Sequence, residues 1–467
     1  MQKIIIKNFG AIEYAEVEIK KVLVLIGEQA SGKSTIAKLI YFFKSLKEDL
    51  FIQIYQDTSR DSFDIPSDLT FPVREKFYDF FGSTFHLPDF EITFFYSFEE
   101  KKRIKLTLNQ DKKLHVVQNF LNASFVNSAS NIKKLLQRSL STNKIHEQLA
   151  YEQDKIRHVE RLSTLLNDFF ASKQTASLFI IASRNVTVGY PKSFERYLLV
   201  DTQNNLDGNK KKAFQSKEQT IDETLMLKFM EKTEKTNDIF AKFRGFHGLI
   251  QSYEEDKNKQ EELYFIKNKI EQILKGEYII DAHGEKIIFD QKTKEYIRLR
   301  DSSSGQKEVI RILQDIFVII LEKSKVLRIV EEPEAHLFPV AQKQLIELLA
   351  LMVNQDDDNQ LIITTHSPYI LSVFNNLLFA QRVVDKNPSA EAEVAELIPK
   401  EFWLKAKDFS AYSLGNSSIE EDPEYCESIF NQQTGAIKQN YLDAVSEMLG
   451  GDFNALYSIY TKNSRRR

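Results

Sequence analysis

The chain has 467 residues, of which 42% are hydrophobic and 28% charged, and it carries a formal net charge of −4 at pH 7. This balance is ordinary for a folded protein and gives no general attraction to nucleic acid, while the lack of an apolar run of roughly 18 residues excludes a membrane-spanning helix. The single cysteine, Cys426, cannot form an intrachain disulfide, and the N-terminus enters a strand-like segment without a signal sequence, so we expect a cytoplasmic protein with no membrane contact.

The first informative segment is a predicted strand, loop and helix near the N-terminus. An apolar run at residues 22–26 is typical of a buried parallel strand, and residues 35–43 contain no helix breaker. Between them the sequence GEQASGKS fits the phosphate-binding pattern G-x-x-x-x-G-K-[ST], so Lys33 should reach the β- and γ-phosphates of ATP and Ser34 should ligate Mg²⁺. The predicted nucleotide-binding residues of this phosphate loop are Gly27, Gln29, Ala30, Ser31, Gly32, Lys33, Ser34 and Thr35.

A long insertion is predicted to follow, from residue 46 to residue 299. Residues 91–96 and 103–108 predict an antiparallel hairpin, and the apolar residues between 156 and 169 recur at helical spacing. A polar stretch at 201–219 predicts a loop. Residues 257–275 have coiled-coil-like spacing, too short for a long arm, and predict a lid. A second hairpin is predicted around His283.

Residues 302–306 (SSSGQ) precede a helix whose apolar residues recur from Val309 to Ile320. Taken alone, this segment is typical of an ordinary helix N-cap. Its position shortly before an acidic strand instead favours a signature loop, in which Ser303, Gly305 and Gln306 contact the γ-phosphate of ATP held by a second subunit.

Two adjacent glutamates, Glu331 and Glu332, follow the apolar run at residues 326–330. Like charges repel, so their position at a strand end suggests a metal and a nucleophilic water rather than a role in stability. We expect Glu331 to support the Mg²⁺ shell and Glu332 to polarise the attacking water, the alternative being a solvated loop. His366 ends another apolar run and is predicted to donate a hydrogen bond to the γ-phosphate. The role of His336 is left open.

Four segments carry a resemblance to a known family. They are residues 6–12 (IKNFGAI), 180–184 (IIASR), 331–337 (EEPEAHL) and 365–368 (THSP). Together they resemble the ABC-type ATPases of the SMC, RecF and OLD group. The chain is most similar to the OLD-like branch without a nuclease domain, which includes antiphage-defence ATPases such as PtuA of Septu and AriA of PARIS. The serine-rich signature departs from the group's LSGGQ, so its assignment rests on position alone.

The resemblance implies an α/β fold in which residues 1–45 and 300–400 form the two halves of an ABC-type P-loop ATPase head. Residues 46–299 would be an inserted, mostly helical lid and short coiled-coil lobe, and residues 401–467 an α-helical assembly region. It also implies Mg²⁺-dependent ATP hydrolysis with Glu332 and His366 as catalytic residues, and Ser34 and Glu331 at the metal. ATP would be enclosed by a homodimer or a higher homo-oligomer.

Two functions remain open from the sequence. One is an ATP-dependent sensor or scaffold of an antiphage defence system that controls a separate effector nuclease or toxin. The other is a RecF/SMC-like DNA repair or recombination ATPase, and basic clusters at residues 101–103, 210–212 and 465–467 leave DNA contact open. No TOPRIM or His-Asn-His nuclease pattern is present, and we interpret the acidic residues 356–358 as a solvated turn. The role of Arg184 and the identity of a Q-loop glutamine are undetermined.

Overall fold

The computed structural model describes residues 1–56, 70–139, 148–189, 220–253, 257–415 and 425–438. The strands are β1 (Gln2–Phe9), β2 (Ile12–Ile19), β3 (Val22–Gly27), β4 (Glu91–Ser97), β5 (Lys102–Leu108), β6 (Leu114–Gln118), β7 (Ala176–Ile180), β8 (Glu277–Asp281), β9 (Gly284–Asp290), β10 (Glu295–Arg298), β11 (Val326–Glu331), β12 (Gln360–Thr365), β13 (Phe409–Leu414), β14 (Cys426–Ser428), β15 (Phe430–Asn431) and β16 (Ala436–Ile437). The α-helices are α1 (Lys33–Gln56), α2 (Phe71–Phe81), α3 (Ala123–Ser139), α4 (Gln148–Phe170), α5 (Val186–Gly189), α6 (Ile221–Lys242), α7 (Phe246–Gln251), α8 (Lys257–Leu274), α9 (Ser304–Glu322), α10 (Pro339–Asn354), α11 (Pro368–Lys386) and α12 (Glu391–Leu397).

The central sheet has the strand order β14-β13-β3-β12-β11-β7, and only β14 is antiparallel to its neighbour. Every residue of β11, β12 and β13 is buried, as expected for parallel strands covered on both faces. Because the carboxyl ends of parallel strands meet at one edge, the loops after β3, β7, β11 and β12 lie together there. The α/β fold predicted from the sequence is confirmed.

A second, antiparallel sheet has the order β2-β1-β4-β5-β6, and α1 lies between the two sheets. On one side of α1, Tyr41 packs edge-on against Phe179 of β7, with ring centroids 5.8 Å apart. On the other side, Phe43 stacks on Phe94 of β4 at 4.9 Å, and the Phe43 carbonyl accepts a hydrogen bond from the Tyr96 hydroxyl. Apolar cover on both sides explains why α1 is hydrophobic around most of its circumference.

Several elements of the insertion agree with their sequence patterns. Strands β4 and β5 form the first antiparallel hairpin, and β8 and β9 form the second, which turns at Ala282 and His283. The apolar stripe predicted for residues 257–275 is carried by α8, where Leu263, Ile266 and Ile270 are fully buried. Helix α8 packs against α7, α9 and α10 of the same chain, so this stripe is already covered. The polar segment 201–219 lies outside the described residues.

The C-terminal region differs from its prediction. Residues 409–414 and 426–428 form β13 and β14 of the central sheet where we predicted α-helix, so that prediction is wrong for the described part of 401–467. The physical reason is burial: every residue of β13 is covered, and its backbone pairs with β3. Strand β7 likewise joins the central sheet from within residues 46–299. Residues 439–467 of the predicted assembly region lie outside the described residues. No described helix has the length and apolar character needed to cross a bilayer.

Candidate functional site

The phosphate loop connects the end of β3 to the start of α1. Ala30 and Gly32 have left-handed backbone angles, with φ of 60° and 82°, which turn the loop back toward the helix N-terminus. Gly27 lies so close to β13 that a Cβ there would be 2.1 Å from the Leu414 carbonyl oxygen. From the same side, the Tyr425 hydroxyl donates a hydrogen bond of 2.9 Å to the Ser31 carbonyl. The loop is therefore braced by the C-terminal strands.

The Lys33 side chain folds back over this loop. Its Nζ donates hydrogen bonds to the carbonyls of Gly27 and Glu28, at 2.9 and 2.5 Å, and to the Ser31 hydroxyl at 3.2 Å. Burial lowers the pKa of Lys33 to about 8, and the charges of Glu332, Glu334 and Glu28 oppose that shift. A buried ammonium held by carbonyls at the N-terminus of a helix is suited to bind phosphate oxygens.

Glu331 is the buried member of the glutamate pair. Burial raises the pKa of its carboxyl, and hydrogen bonds from the Ser34 hydroxyl and the Ala182 backbone oppose the shift. Its Oε1 atom is buried and has no hydrogen-bond partner among the described residues. Carboxylate and hydroxyl oxygens are ligands that Mg²⁺ prefers, usually with only one or two protein ligands besides substrate phosphates. Ser34 and Glu331 therefore fit Mg²⁺.

Glu332 directly follows the last residue of β11 and is the more exposed member of the glutamate pair. The Glu332 side chain is 43% exposed, and its Oε1 lies 3.5 Å from Nε2 of His366, which is 35% exposed. Its backbone has a left-handed φ of 44°, and its N–H donates to the Thr364 carbonyl at 2.9 Å. Of the two carboxylates, that of Glu331 is therefore buried and that of Glu332 is accessible to water.

Glu334 positions His366, a role that the sequence analysis missed. One Glu334 oxygen, Oε1, accepts hydrogen bonds from the His366 backbone N–H at 2.8 Å and from the Thr365 hydroxyl at 2.7 Å. The signal that could have found it is the third glutamate of the EEPE segment. The structure therefore brings Lys33, Ser34, the three glutamates and His366 to one edge of the central sheet.

Arg184, whose role the sequence left open, joins this edge to α9. The residue is fully buried, and its guanidinium donates to the Glu331 carbonyl at 2.8 Å and to the Glu332 carbonyl at 2.9 Å. Its Nε donates to the Glu308 carbonyl at 3.0 Å and lies 3.4 Å from the Glu308 carboxylate. Burial lowers the pKa of Arg184 and raises that of Glu308, and the attraction between the two charges opposes both shifts.

The segment that contains Arg184 provides no candidate for the Q-loop glutamine that the sequence left undetermined. Strand β7 is the neighbour of β11 on the side away from β12, and residues 181–189 after it contain no glutamine. The Ala182 backbone and the Arg184 side chain contact the glutamates instead. In this chain, backbone groups and an arginine therefore line the position beside the carboxylate strand.

The predicted signature loop forms the N-terminus of α9. Ser303 is the N-cap, and its side chain and that of Gln306 form a reciprocal capping box. The Gln306 side-chain amide also donates to the Leu274 carbonyl at 2.6 Å. A Cβ on Gly305 would lie 2.6 Å from the His336 carbonyl oxygen, so the loop packs closely on the segment that follows the glutamates. Capping is thus shown for Ser303 and Gln306, and contact with a partner's nucleotide stays a prediction.

The close packing at Gly305 leads to a first prediction. Gly305→Ala should lower the free energy of unfolding by about 1–3 kcal/mol, because the new methyl group meets a backbone carbonyl that cannot rotate away. Denaturant unfolding would measure this change, with the exposed neighbour Ser304→Ala as the control. Equal stability of the two variants would contradict the close contact between Gly305 and His336.

The acidic turn is paired within the chain, and so is one residue of the first basic cluster, Lys102. Lys325 lies 2.7 Å from Asp358 and 3.5 Å from Asp356, as expected for the predicted solvated turn. In the basic cluster, Lys102 lies 2.6 Å from Glu100 and donates to the Asp168 carbonyl at 2.9 Å. The clusters at 210–212 and 465–467 lie outside the described residues. Within the first cluster, Lys102 is therefore engaged by the chain, whereas Lys101 and Arg103 are exposed.

Comparison with known proteins agrees with this site. A family model described as an AAA ATPase domain matches residues 1–371, and no curated protein matches the chain. Among solved structures, the chain is similar to an SMC head bound to the C-winged helix domain of ScpA, with 11% identity and a TM-score of 0.35 over 79% of this chain and 90% of that chain. It is also similar to the SMC head domain from Thermotoga maritima, with 10% identity and a TM-score of 0.31 over the same shares. Because the family model covers most of the chain, including the phosphate loop, the glutamates and His366, the protein belongs to the AAA ATPase domain family.

Proposed function

We propose that this chain is the ATP-binding and ATP-hydrolysing sensor or scaffold subunit of a prokaryotic antiphage defence system. It dimerises around ATP and controls a separate effector nuclease or toxin. The observation that carries the ATPase part is the grouping of Lys33, Ser34, Glu331, Glu332 and His366 at one edge of the central sheet. The defence part rests on the resemblance of the sequence motifs to the OLD-like branch.

Each residue has a distinct task in the proposed reaction. The phosphate-loop N–H groups and Lys33 hold the β- and γ-phosphates. Ser34 and Glu331 would hold Mg²⁺, which would supply neutralisation of the phosphate charge when bound. Glu332, the accessible glutamate, accepts a hydrogen bond from the attacking water and orients it toward phosphorus. His366, held by Glu334, donates to the γ-phosphate and loses that partner after hydrolysis.

Two experiments test the proposed dimer: a measurement of its molar mass, and a mixture of two inactive variants. With ATP and Mg²⁺ present, light scattering should show that the Glu332→Gln protein has twice the molar mass of the monomer. The unhydrolysed nucleotide would hold the two subunits together. A mixture of inactive Lys33→Ala and Ser303→Arg chains should recover part of the wild-type ATPase rate, because one of the two composite sites in a mixed dimer is intact. Each variant alone is the control. A Glu332→Gln chain that stays monomeric with ATP would contradict the shared site.

The effector is tested by recovery of the tagged chain from its native host. The material recovered at low salt should cleave DNA. After a high-salt wash that removes the bound partner, the remaining chain should no longer cleave DNA. For ATP to control that partner, the ATP-bound and ATP-free forms must bind it with different affinities. Magnesium-dependent cleavage by the lone purified chain, abolished by a point mutation in it, would refute a separate effector. Direct stimulation of the ATPase by duplex DNA would instead favour the DNA repair alternative.

A further inference from the structure

A cleft of about 470 Å³ lies at the edge of the central sheet opposite to the phosphate loop. The loops that lead into the amino ends of β3, β7, β12 and β13 line it, together with α1. We propose that this basic cleft binds a small phosphate-bearing anion and that Lys44 of α1 is its central ligand. The proposal does not depend on the function proposed above, because it concerns other residues at another edge of the sheet.

Charge is the first argument. Six lysines line the basic cleft, against three aspartates, Asp357, Asp358 and Asp408. The lysines are Lys20, Lys21, Lys44, Lys173, Lys405 and Lys407. The ion pairs between the two sets are long, at 3.5 Å for Lys21 with Asp357 and 3.8 Å for Lys173 with Asp358. Walls with an excess of one charge concentrate ions of the opposite sign, so the cleft should attract anions.

The second argument is the buried ammonium of Lys44. Its side chain lines the basic cleft, yet the residue is only 6% exposed, and its one hydrogen bond among the described residues is a 3.5 Å contact with Gln174 Oε1. Burial, together with the nearby charge of Lys47, lowers the pKa of Lys44 to about 7. A buried charge normally has a counter-charge or several acceptors, and among the described residues Lys44 has neither.

Lys47 provides a comparison within the same helix. Its ammonium donates to Asn167 Oδ1 and to the carbonyls of Ser172 and Gln174, so its hydrogen bonds are satisfied by the protein. Lys44 lacks such acceptors, and a phosphate oxygen would supply both the acceptor and the negative charge. The volume is within the range of small-molecule sites. Lys44 lies eleven positions after Lys33 on α1, about 16 Å along the helix, so the two anion sites are separate.

The proposal is tested with tripolyphosphate as the probe and with Lys33→Ala as the background, so that the phosphate loop does not contribute. Calorimetric titration of the full-length Lys33→Ala chain should show one tripolyphosphate bound. Adding Lys44→Met should weaken that binding at least about tenfold, while adding Lys235→Met, at an exposed lysine of α6, should leave it unchanged. A 24-base-pair DNA duplex serves as a second probe for phosphates of nucleic-acid origin.

Stability separates a ligand lysine from a structural one. If Lys44 serves a ligand, Lys44→Met should unfold at or above the temperature of its parent chain, because it removes a buried charge without breaking a strong contact. Equal tripolyphosphate affinity with and without Lys44→Met, or no binding of either probe in the Lys33→Ala chain, would overturn the proposal. A fall of several degrees in Tm with Lys44→Met would also overturn it. Lys44-dependent binding of the duplex without binding of tripolyphosphate would keep the phosphate chemistry and assign its source to nucleic acid.

Discussion

Replacing Glu332 by glutamine should leave ATP binding intact and reduce turnover by about a hundredfold or more, the usual contribution of a general base. The amide keeps the size and place of the side chain, 3.5 Å from His366, but cannot draw a proton from water. Steady-state phosphate release would give kcat, and binding of a fluorescent ATP analogue would give Kd. Lys33→Ala should behave differently and weaken ATP binding itself, because it removes a direct phosphate contact.

Two further variants sharpen this test. Glu396→Gln, at an exposed glutamate of α12, should hydrolyse ATP at the wild-type rate. Glu331→Gln should change the dependence of the rate on magnesium concentration, because Glu331 and Ser34 provide the oxygens that fit the metal. A Glu332→Gln chain with wild-type kcat would show that another group activates the water.

Replacing Arg184 by alanine should lower the free energy of unfolding by about 3–5 kcal/mol, the usual effect of removing one partner of a buried ion pair. Arg184 is fully buried, and its loss leaves the Glu308 carboxylate without a counter-charge and the glutamate carbonyls without their donor. Denaturant unfolding would measure the change. ATP hydrolysis should fall as well, because the segment that holds both glutamates loses its connection to α9.

A double-mutant cycle isolates the ion pair within this effect. Glu308→Gln combined with Arg184→Ala should be less destabilised than the two single effects predict, because the buried charge that each single change leaves unpaired is then absent. Arg184→Lys should recover only part of the stability, since an ammonium cannot reproduce the planar fork of donors. Additive effects in the cycle would refute the coupling between Arg184 and Glu308.

Sequence reasoning was most successful where a function is encoded locally. An apolar run directly precedes the phosphate loop, the glutamate pair and His366. Neighbouring residues alone therefore predict that each follows a buried strand and lies at the carboxyl edge of the sheet. The same holds for the capping box of Ser303 and Gln306, whose two members are three positions apart. Their roles in binding and catalysis stay predictions.

The interactions that sequence reasoning missed join distant segments through the backbone. Arg184 contacts carbonyl groups, which every residue possesses, so nothing in the sequence of β11 or α9 marks them as its partners. Strand β13 was assigned to a helical region because its neighbour β3 lies nearly four hundred residues earlier in the chain. Its pairing is decided by burial in the central sheet rather than by a local pattern.

The position of β13 beside the phosphate loop has a consequence for the order in which the protein is made. The loop follows β3, yet its outer neighbours, Leu414 and Tyr425, come nearly four hundred residues later in the chain. A ribosome must therefore add all of these residues before β3 acquires its second parallel neighbour. Until then one edge of β3 stays unpaired, so the nascent chain should become able to hold ATP tightly only after β13 has been made.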